Sequence, residues 1–177
     1  QHKNAGLTGL ADSVSVALIG NTGNVTIDSD GVADIESATI TATGVNSGSL
    51  VIGDSNGSTI TSLTVDGAGS LTITATDLAT LTTLDASANT GGVSYVGQVT
   101  SETVTLTGGA GNDTLTGNTG DDVITGGAGK DTLSTGAGGD DHVDAGAGDD
   151  TVIVSNVTKA DTIDGGDGTD ILEINTA

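Results

Sequence analysis

GGAGNDTLT (108–116), GNTGDDVIT (117–125) and GGAGKDTLS (126–134) are three nonapeptides laid end to end, and how they are read decides the fold. TGAGGDDHVD (135–144), one residue longer, and AGAGDDTVI (145–153) follow, and GGDGTDILE (165–173) comes after an interruption of eleven residues. Repetition at this fidelity marks a coil built from one small unit and stacked on itself. Each unit divides into a six-residue turn, G-G-x-G-x-D, and a three-residue strand with one inward apolar side chain. Glycines at positions one, two and four are expected to take positive φ and turn the chain back tightly, so that carbonyls face a shared space. These are Gly108, Gly109, Gly111, Gly117, Gly120, Gly126, Gly127, Gly129, Gly136, Gly138, Gly146, Gly148, Gly165, Gly166 and Gly168.

Two units complete one coil, so each turn stacks on the turn two units later, about 4.8 Å along the axis. The aspartates at position six then form two rows: Asp113, Asp131 and Asp150 in one, Asp122 and Asp141 in the other. Leu115, Ile124, Leu133, Val143, Val152 and Leu172 form an aliphatic ladder inside. Carbonyls and carboxylates crowded in irregular geometry suit calcium, which takes six to eight hard oxygen ligands, better than magnesium, zinc or copper. These glycines and aspartates are therefore the candidate metal site. Asp170 is its weakest member, because residues 154–164 break the array and are expected to break the row before Gly165. In the long fourth unit the extra residue is most simply Gly139, and His142 is read as facing solvent. Without metal the stacked carboxylates repel and the ladder buries too little to offset the ordering entropy, so calcium binding and folding are expected to be one event.

Composition points the same way. The chain has 177 residues with no Cys, Pro, Met, Trp or Phe, and Tyr95 is its one aromatic residue. A core must come from Val, Leu, Ile, Ala and Thr methyls, and the many glycines weaken helices, so the expected class is all-β. The net charge of -21 argues against nucleic acid and anionic membranes as partners and for cations. It is also the signature of a chain that is disordered without metal. No apolar run is long enough to span a membrane, and QHKNAG at the start lacks the apolar stretch of a cleaved signal peptide.

Upstream of the array, short Thr-rich strands such as SLTVD, SLTITATD and GVSYVG alternate with Gly, Asn, Asp and Ser turns. Their spacing suits a sandwich or a solenoid, and the missing aromatic residues and short strands favour the solenoid. Residues 1–105 are thus read as a metal-poor solenoid and residues 106–177 as a calcium-binding roll, both parts of a right-handed parallel β-solenoid. The acids follow this division: nine lie in residues 1–100 and fifteen in residues 101–177.

The array resembles the RTX (repeats-in-toxin) family of exported bacterial proteins over residues 106–173. That resemblance implies transit unfolded at low cytosolic calcium, type I secretion on an uncleaved C-terminal signal, and folding outside the cell. LTTLDASANTGGV (81–93), preceded by SLTVDGAGSLTITATDL (62–78), is similar to an element of RTX-type surface-layer proteins of Gram-negative bacteria. This implies a secreted structural subunit at the cell surface, with further copies of itself and cell-surface polysaccharide as partners. The chain is short for a lattice subunit and shows no basic or aromatic anchoring module. The alternatives are an adhesin fragment, the folding and secretion domain of a larger exported enzyme, and a free calcium buffer.

Other motifs carry little. GDSNG (53–57) matches the nucleophile elbow G-x-S-x-G but has no helix context, and His2 and His142 are the chain's histidines. The acidic stretch around Asp28, Asp30, Asp34 and Glu36 misplaces the glycine of an EF-hand loop and reads as a solvated turn. No HExxH is present. The expectation is a protein that is not an enzyme.

Overall fold

Alternation of β-branched and polar residues, cut by glycine turns, produces strands and no helix among the described residues. The computed structural model describes residues 12–20, 25–27, 35–44, 49–52, 60–75, 78–98 and 100–175. GDSNG and the acids at positions 28, 30 and 34 lie outside them.

The chain winds between two parallel sheets. One sheet contains, in order, β1 (Asp12–Ile19), β3 (Ile35–Thr43), β5 (Ser62–Asp66), β7 (Thr83–Asp85), β9 (Thr105–Thr107), β11 (Val123–Ala128), β13 (His142–Ala147) and β15 (Thr162–Asp164). The other contains β2 (Val25–Ile27), β4 (Ser49–Ile52), β6 (Leu71–Ala75), β8 (Val93–Val96), β10 (Thr114–Thr116), β12 (Thr132–Ser134), β14 (Thr151–Ser155) and β16 (Ile171–Asn175). Consecutive strands alternate between sheets, and each pairs in parallel with the strand one coil away. This is the expected parallel β-solenoid, and the sandwich alternative falls, because a sandwich pairs its strands antiparallel.

The coil shortens along the chain. Glu36 and Thr61, one coil apart, are separated by 25 residues, whereas Asp113 and Asp131 are separated by 18. Longer coils accommodate five-residue strands with two inward side chains, as in Leu63 and Val65 of β5. The nonapeptide strands β10 and β12 hold three residues with a single inward one, Leu115 and Leu133. Both sheets run through the compositional boundary near Leu106 without a break: β8 pairs β10, and β7 pairs β9.

Inside, the side chains stack in ladders, as in-register parallel pairing requires. Leu63, Leu84, Leu106, Ile124 and Val143 line one wall, and Leu50, Ile73, Tyr95, Leu115, Leu133 and Val152 the other, all buried. Each such side chain contributes about 1.5–3 kcal/mol through burial. Leu172 continues the ladder in register above Val152, but it belongs to the last described coil and is 54% exposed. Its expected burial is therefore not seen among the described residues.

Candidate metal centre

The turns joining the two sheets stack along two edges of the solenoid. On the first edge lie the turns ending in Asp113, Asp131, Asp150 and Asp170, and on the second those ending in Asp122, Asp141 and Asp161. Every one of these aspartates reaches back one coil. The backbone N–H of Asp113 donates to Asp131 Oδ1 at 2.8 Å, that of Asp131 to Asp150 Oδ1 at 2.7 Å, and that of Asp150 to Asp170 Oδ1 at 3.0 Å. On the other edge Asp122 N–H donates to Asp141 Oδ1 at 2.9 Å and Asp141 N–H to Asp161 Oδ1 at 3.0 Å. Val93 and Val104 donate likewise to the first acid of each row, Asp113 and Asp122.

The structure thus assembles both expected rows and lengthens them. Residues 154–164 do not interrupt the stack: they form a complete turn, and Asp161 takes the position-six place. The triplet Asp161-Thr162-Ile163 repeats the Asp-Thr-Leu of 113–115 and 131–133, a signal hidden by the absence of glycines before it. Asp170, the weakest candidate, is held in its row as the others are. In the long fourth turn Gly139 stacks on Gly120, and a Cβ there would overlap the Gly120 carbonyl. A Cβ on Gly138 would meet only the Thr119 carbonyl at 3.8 Å, an ordinary contact, and Asp140 stacks on Asp121, so Gly138 is the inserted residue and Gly139 the position-four one.

The glycines divide by role. Positive φ occurs at positions two and four of the later turns, as at Gly127 (110°), Gly129 (130°), Gly146 (97°) and Gly166 (78°). Position one never shows it. There glycine gives clearance, a Cβ on Gly126 lying 2.5 Å from Asp131 Oδ2 and one on Gly165 2.6 Å from Asp170 Oδ2, while Thr135 and Ala145 fill the same place in their turns. The position-four carbonyls line up along the axis, because a Cβ on Gly129 would meet the Gly111 carbonyl and one on Gly148 the Gly129 carbonyl.

The second carboxylate oxygens separate the turns further. Asp113 Oδ2 accepts from Gly109 N–H at 2.8 Å, Asp122 Oδ2 from Asn118 N–H at 2.6 Å, and Asp161 Oδ2 from Thr158 N–H at 2.7 Å. Asp131 Oδ2 and Asp150 Oδ2 are buried with no hydrogen-bond partner. An unpaired buried carboxylate oxygen is costly, and a hard cation is the group that relieves it. Asp66 Oδ1, at the end of β5, is likewise buried without a partner, but it has no row of acids beside it.

Burial, with Asp113 and Asp150 nearby, pushes Asp131 up to about 6, and burial with Asp122, Asp161 and Asp121 nearby does the same to Asp141. Burial also raises Asp113 and Asp122. Asp161 moves the other way: some burial opposes ionisation, but hydrogen bonds from Asp141 and Thr158 outweigh it. Tyr95, buried and near Asp122, is pushed up to about 12. Among the described residues no three acidic or histidine side chains converge on a point, so any cation here must draw main-chain carbonyls into its shell along with the carboxylates. His142 is exposed, as expected, with Nδ1 2.5 Å from Thr162 Oγ1.

Stacked glycine turns with axial carboxylate rows on a two-sheet parallel solenoid define a calcium-binding β-roll. Residues 107–140, 135–154 and 158–173 match the RTX calcium-binding nonapeptide repeat, so this part of the chain is an array of RTX repeats, whose nonapeptides bind Ca2+. Comparison with curated proteins and with solved structures finds no match. The orphaned oxygens of Asp131 and Asp150 and the aligned position-four carbonyls are a donor set that fits calcium.

Proposed function

We propose that the chain is a secreted structural protein of a bacterial cell surface, a surface-layer or filament subunit that folds and assembles on meeting extracellular calcium. The observation that carries this reading is the pair of partnerless oxygens on Asp131 and Asp150, set in an uninterrupted axial row that only a cation completes. Calcium would be held between successive turns by Asp131, Asp141 and Asp150, with carbonyls of the glycine turns. It supplies charge neutralisation and cross-linking of coils, and the protein is no enzyme.

Assembly is supported by the exposed apolar residues of the last described strand. In β16, Leu172 and Ile174 are 54% and 55% exposed, and β16 pairs with β14 on one side and nothing on the other among the described residues. Such an edge is a template for another chain. At a net charge of -21 copies repel one another, and bound calcium lowers that barrier. Other copies, and polysaccharide of the cell surface, are the partners this reading implies, and type I secretion is its route. No helix among the described residues is long and apolar enough to cross a membrane.

Light scattering and electron microscopy across a calcium titration test the proposal. Assemblies should appear only above the calcium level that folds the array and should dissolve on chelation. A chain that folds fully yet stays monomeric at high concentration would favour the folding and secretion domain of a larger exported enzyme.

A further inference from the structure

All six nonapeptide turns look alike in sequence, but their geometry divides them. Position two of each turn can be followed along both edges by one repeated bond, in which the position-three N–H donates to the position-two carbonyl of the preceding turn. Ala110 donates to Asn89, Ala128 to Gly109, Ala137 to Asn118 and Asp167 to Gly146. Among the described turns that this bond follows, position two is asparagine at Asn89 on one edge and at Asn118 on the other, both buried.

The two asparagines make the same bonds. Asn89 Nδ2 donates to the Gly69 carbonyl at 3.0 Å, and Asn118 Nδ2 to the Glu102 carbonyl at 2.8 Å; each of these carbonyls is at position four of the preceding turn. Asn89 Oδ1 accepts from Gly91 and Gly92, and Asn118 Oδ1 accepts from Gly120. One neutral side chain thus clamps two turns, supplying an electrophile to the position-four carbonyl as a bound cation would. In the turns stacked on these, position two is Gly109, Gly127, Gly146 or Gly166 on one edge and Gly136 on the other, which have no side chain to send.

The carboxylates of the nonapeptide turns divide in part the same way. Asp113 and Asp122, in the first nonapeptide turn of each edge, have both oxygens bonded to backbone N–H groups, and Gly109, Gly111 and Gly120 do not take positive φ. Within the array positive φ begins at Gly127, as it also occurs at Gly67 before Asn89, and the second oxygens of Asp131 and Asp150 have no internal partner, whereas Asp161 keeps one from Thr158.

We infer that Asn89 and Asn118 are hydrogen-bonded substitutes for calcium that end the metal row, so that Asp113 and Asp122 close metal-free turns and calcium is confined to the turns of Asp131, Asp141 and Asp150 and those stacked on them. The solenoid up to Asn118 then folds without metal and serves as the template on which the metal-bound turns are laid. This rests on the calcium reading above for its metal arm and is independent of it for its chelator arm.

The metal arm counts calcium ions bound per full-length chain by calorimetric titration. Asp113→Asn and Asp122→Asn should bind as many ions as the parent, whereas Asp131→Asn and Asp150→Asn should each bind at least one fewer. Asp113→Asn losing as many ions as Asp131→Asn overturns the inference. Circular dichroism at saturating calcium confirms that each variant compared is folded, and Asp122→Asn stands in if Asp113→Asn is not. The chelator arm follows thermal melting of β-structure in excess chelator. The parent should show a cooperative melt that Asn89→Gly and Asn118→Gly lower or abolish, and calcium should restore it for Asn118→Gly, a metal then filling the vacated place. Identical melts for the parent and both asparagine variants overturn the inference as well. A parent that binds no calcium but melts as described would sink the calcium reading and leave the asparagine clamps standing.

Discussion

Among the described residues before Gly97, successive coils are stitched together chiefly by donors on neutral side chains, and in the coils after Leu106 chiefly by acceptors on charged ones. Thr43 Oγ1 donates to the Leu18 carbonyl, Thr61 Oγ1 to Glu36, Thr80 Oγ1 to Ile60 and Thr82 Oγ1 to Thr61, with Asn89 completing the series. Hydroxyls and amides meet carbonyls without leaving charge behind. In the array the groups that reach across coils are aspartates, which satisfy backbone N–H groups but leave carboxylates buried in rows. On the proposed function, the same solenoid would be self-sufficient in one half and cation-dependent in the other. A shorter coil has fewer side chains to spare for stitching, and bound calcium would take over that work.

Chelation should break this comparison most visibly. With calcium removed, amide hydrogen exchange in β12, β13 and β14 should rise to near unfolded rates, while β3, β5 and β6 keep their protection. Uniform loss over both halves, or none in either, would show that the two halves are not held differently.

Core truncation comes next. Leu133→Ala, in a ladder position with no solvent exposure, should cost about 2–5 kcal/mol in calcium, as should Leu84→Ala in the other half. Leu172→Ala should cost less than about 1 kcal/mol by thermal denaturation, since its side chain already faces solvent. In chelator only Leu84→Ala should still matter. A comparable loss at Leu172 would mean that the end of the solenoid is covered in solution.

Individual acids refine the comparison. Asp131→Ala should weaken calcium binding roughly tenfold or more, because removing one charged ligand costs a large share of a site's affinity. Asp66→Ala should leave the titration unchanged even though Asp66 Oδ1 is also buried and partnerless, because no second carboxylate stands beside it. Asp170→Ala should fall between the two, its turn being held in the row but open to solvent. Equal titrations for Asp131→Ala and Asp66→Ala would remove the basis for placing calcium in the array.

The architecture was legible because the nonapeptide is a literal repeat: period, inward residues and the acids of both rows could be read before any geometry. What escaped the reading lay where the repeat is imperfect. Asp161 was lost because its turn has no glycines, and the roles of Gly138 and Gly139 were exchanged because sequence cannot say which of two adjacent glycines stacks. Position-one glycine was assigned to backbone freedom, when the constraint is clearance for a carboxylate that lies five residues on. The distinction between closed and open turns was invisible, since it depends on where second oxygens point. In the first half Asn89 looked like any turn residue, and its bonds to the preceding coil appear only when that coil is in place.

The smallest effect expected is one of pH, and it has opposite signs with and without metal. Asp131 and Asp141 are held near about 6 in the metal-free fold against an ordinary 3.8, chiefly by burial and then by the neighbouring acids of their rows. Between these values the folded chain binds more protons than the unfolded one, so the metal-free array loses stability as pH rises through this window and recovers it as pH falls. In excess chelator, acidification from pH 7 toward pH 4 should therefore increase β-structure in the array. With calcium bound the carboxylates are held ionised, protons compete with the metal, and the same acidification should weaken the array. Asp85, in the first half, behaves otherwise: it is lowered by hydrogen bonds from Ser87, so its small contribution is present above the ordinary carboxylate range and fades only as pH falls through its depressed value. Circular dichroism melts over this pH range, run in chelator and in calcium, should give curves of opposite slope. Parallel slopes would show that the buried rows are not what calcium neutralises.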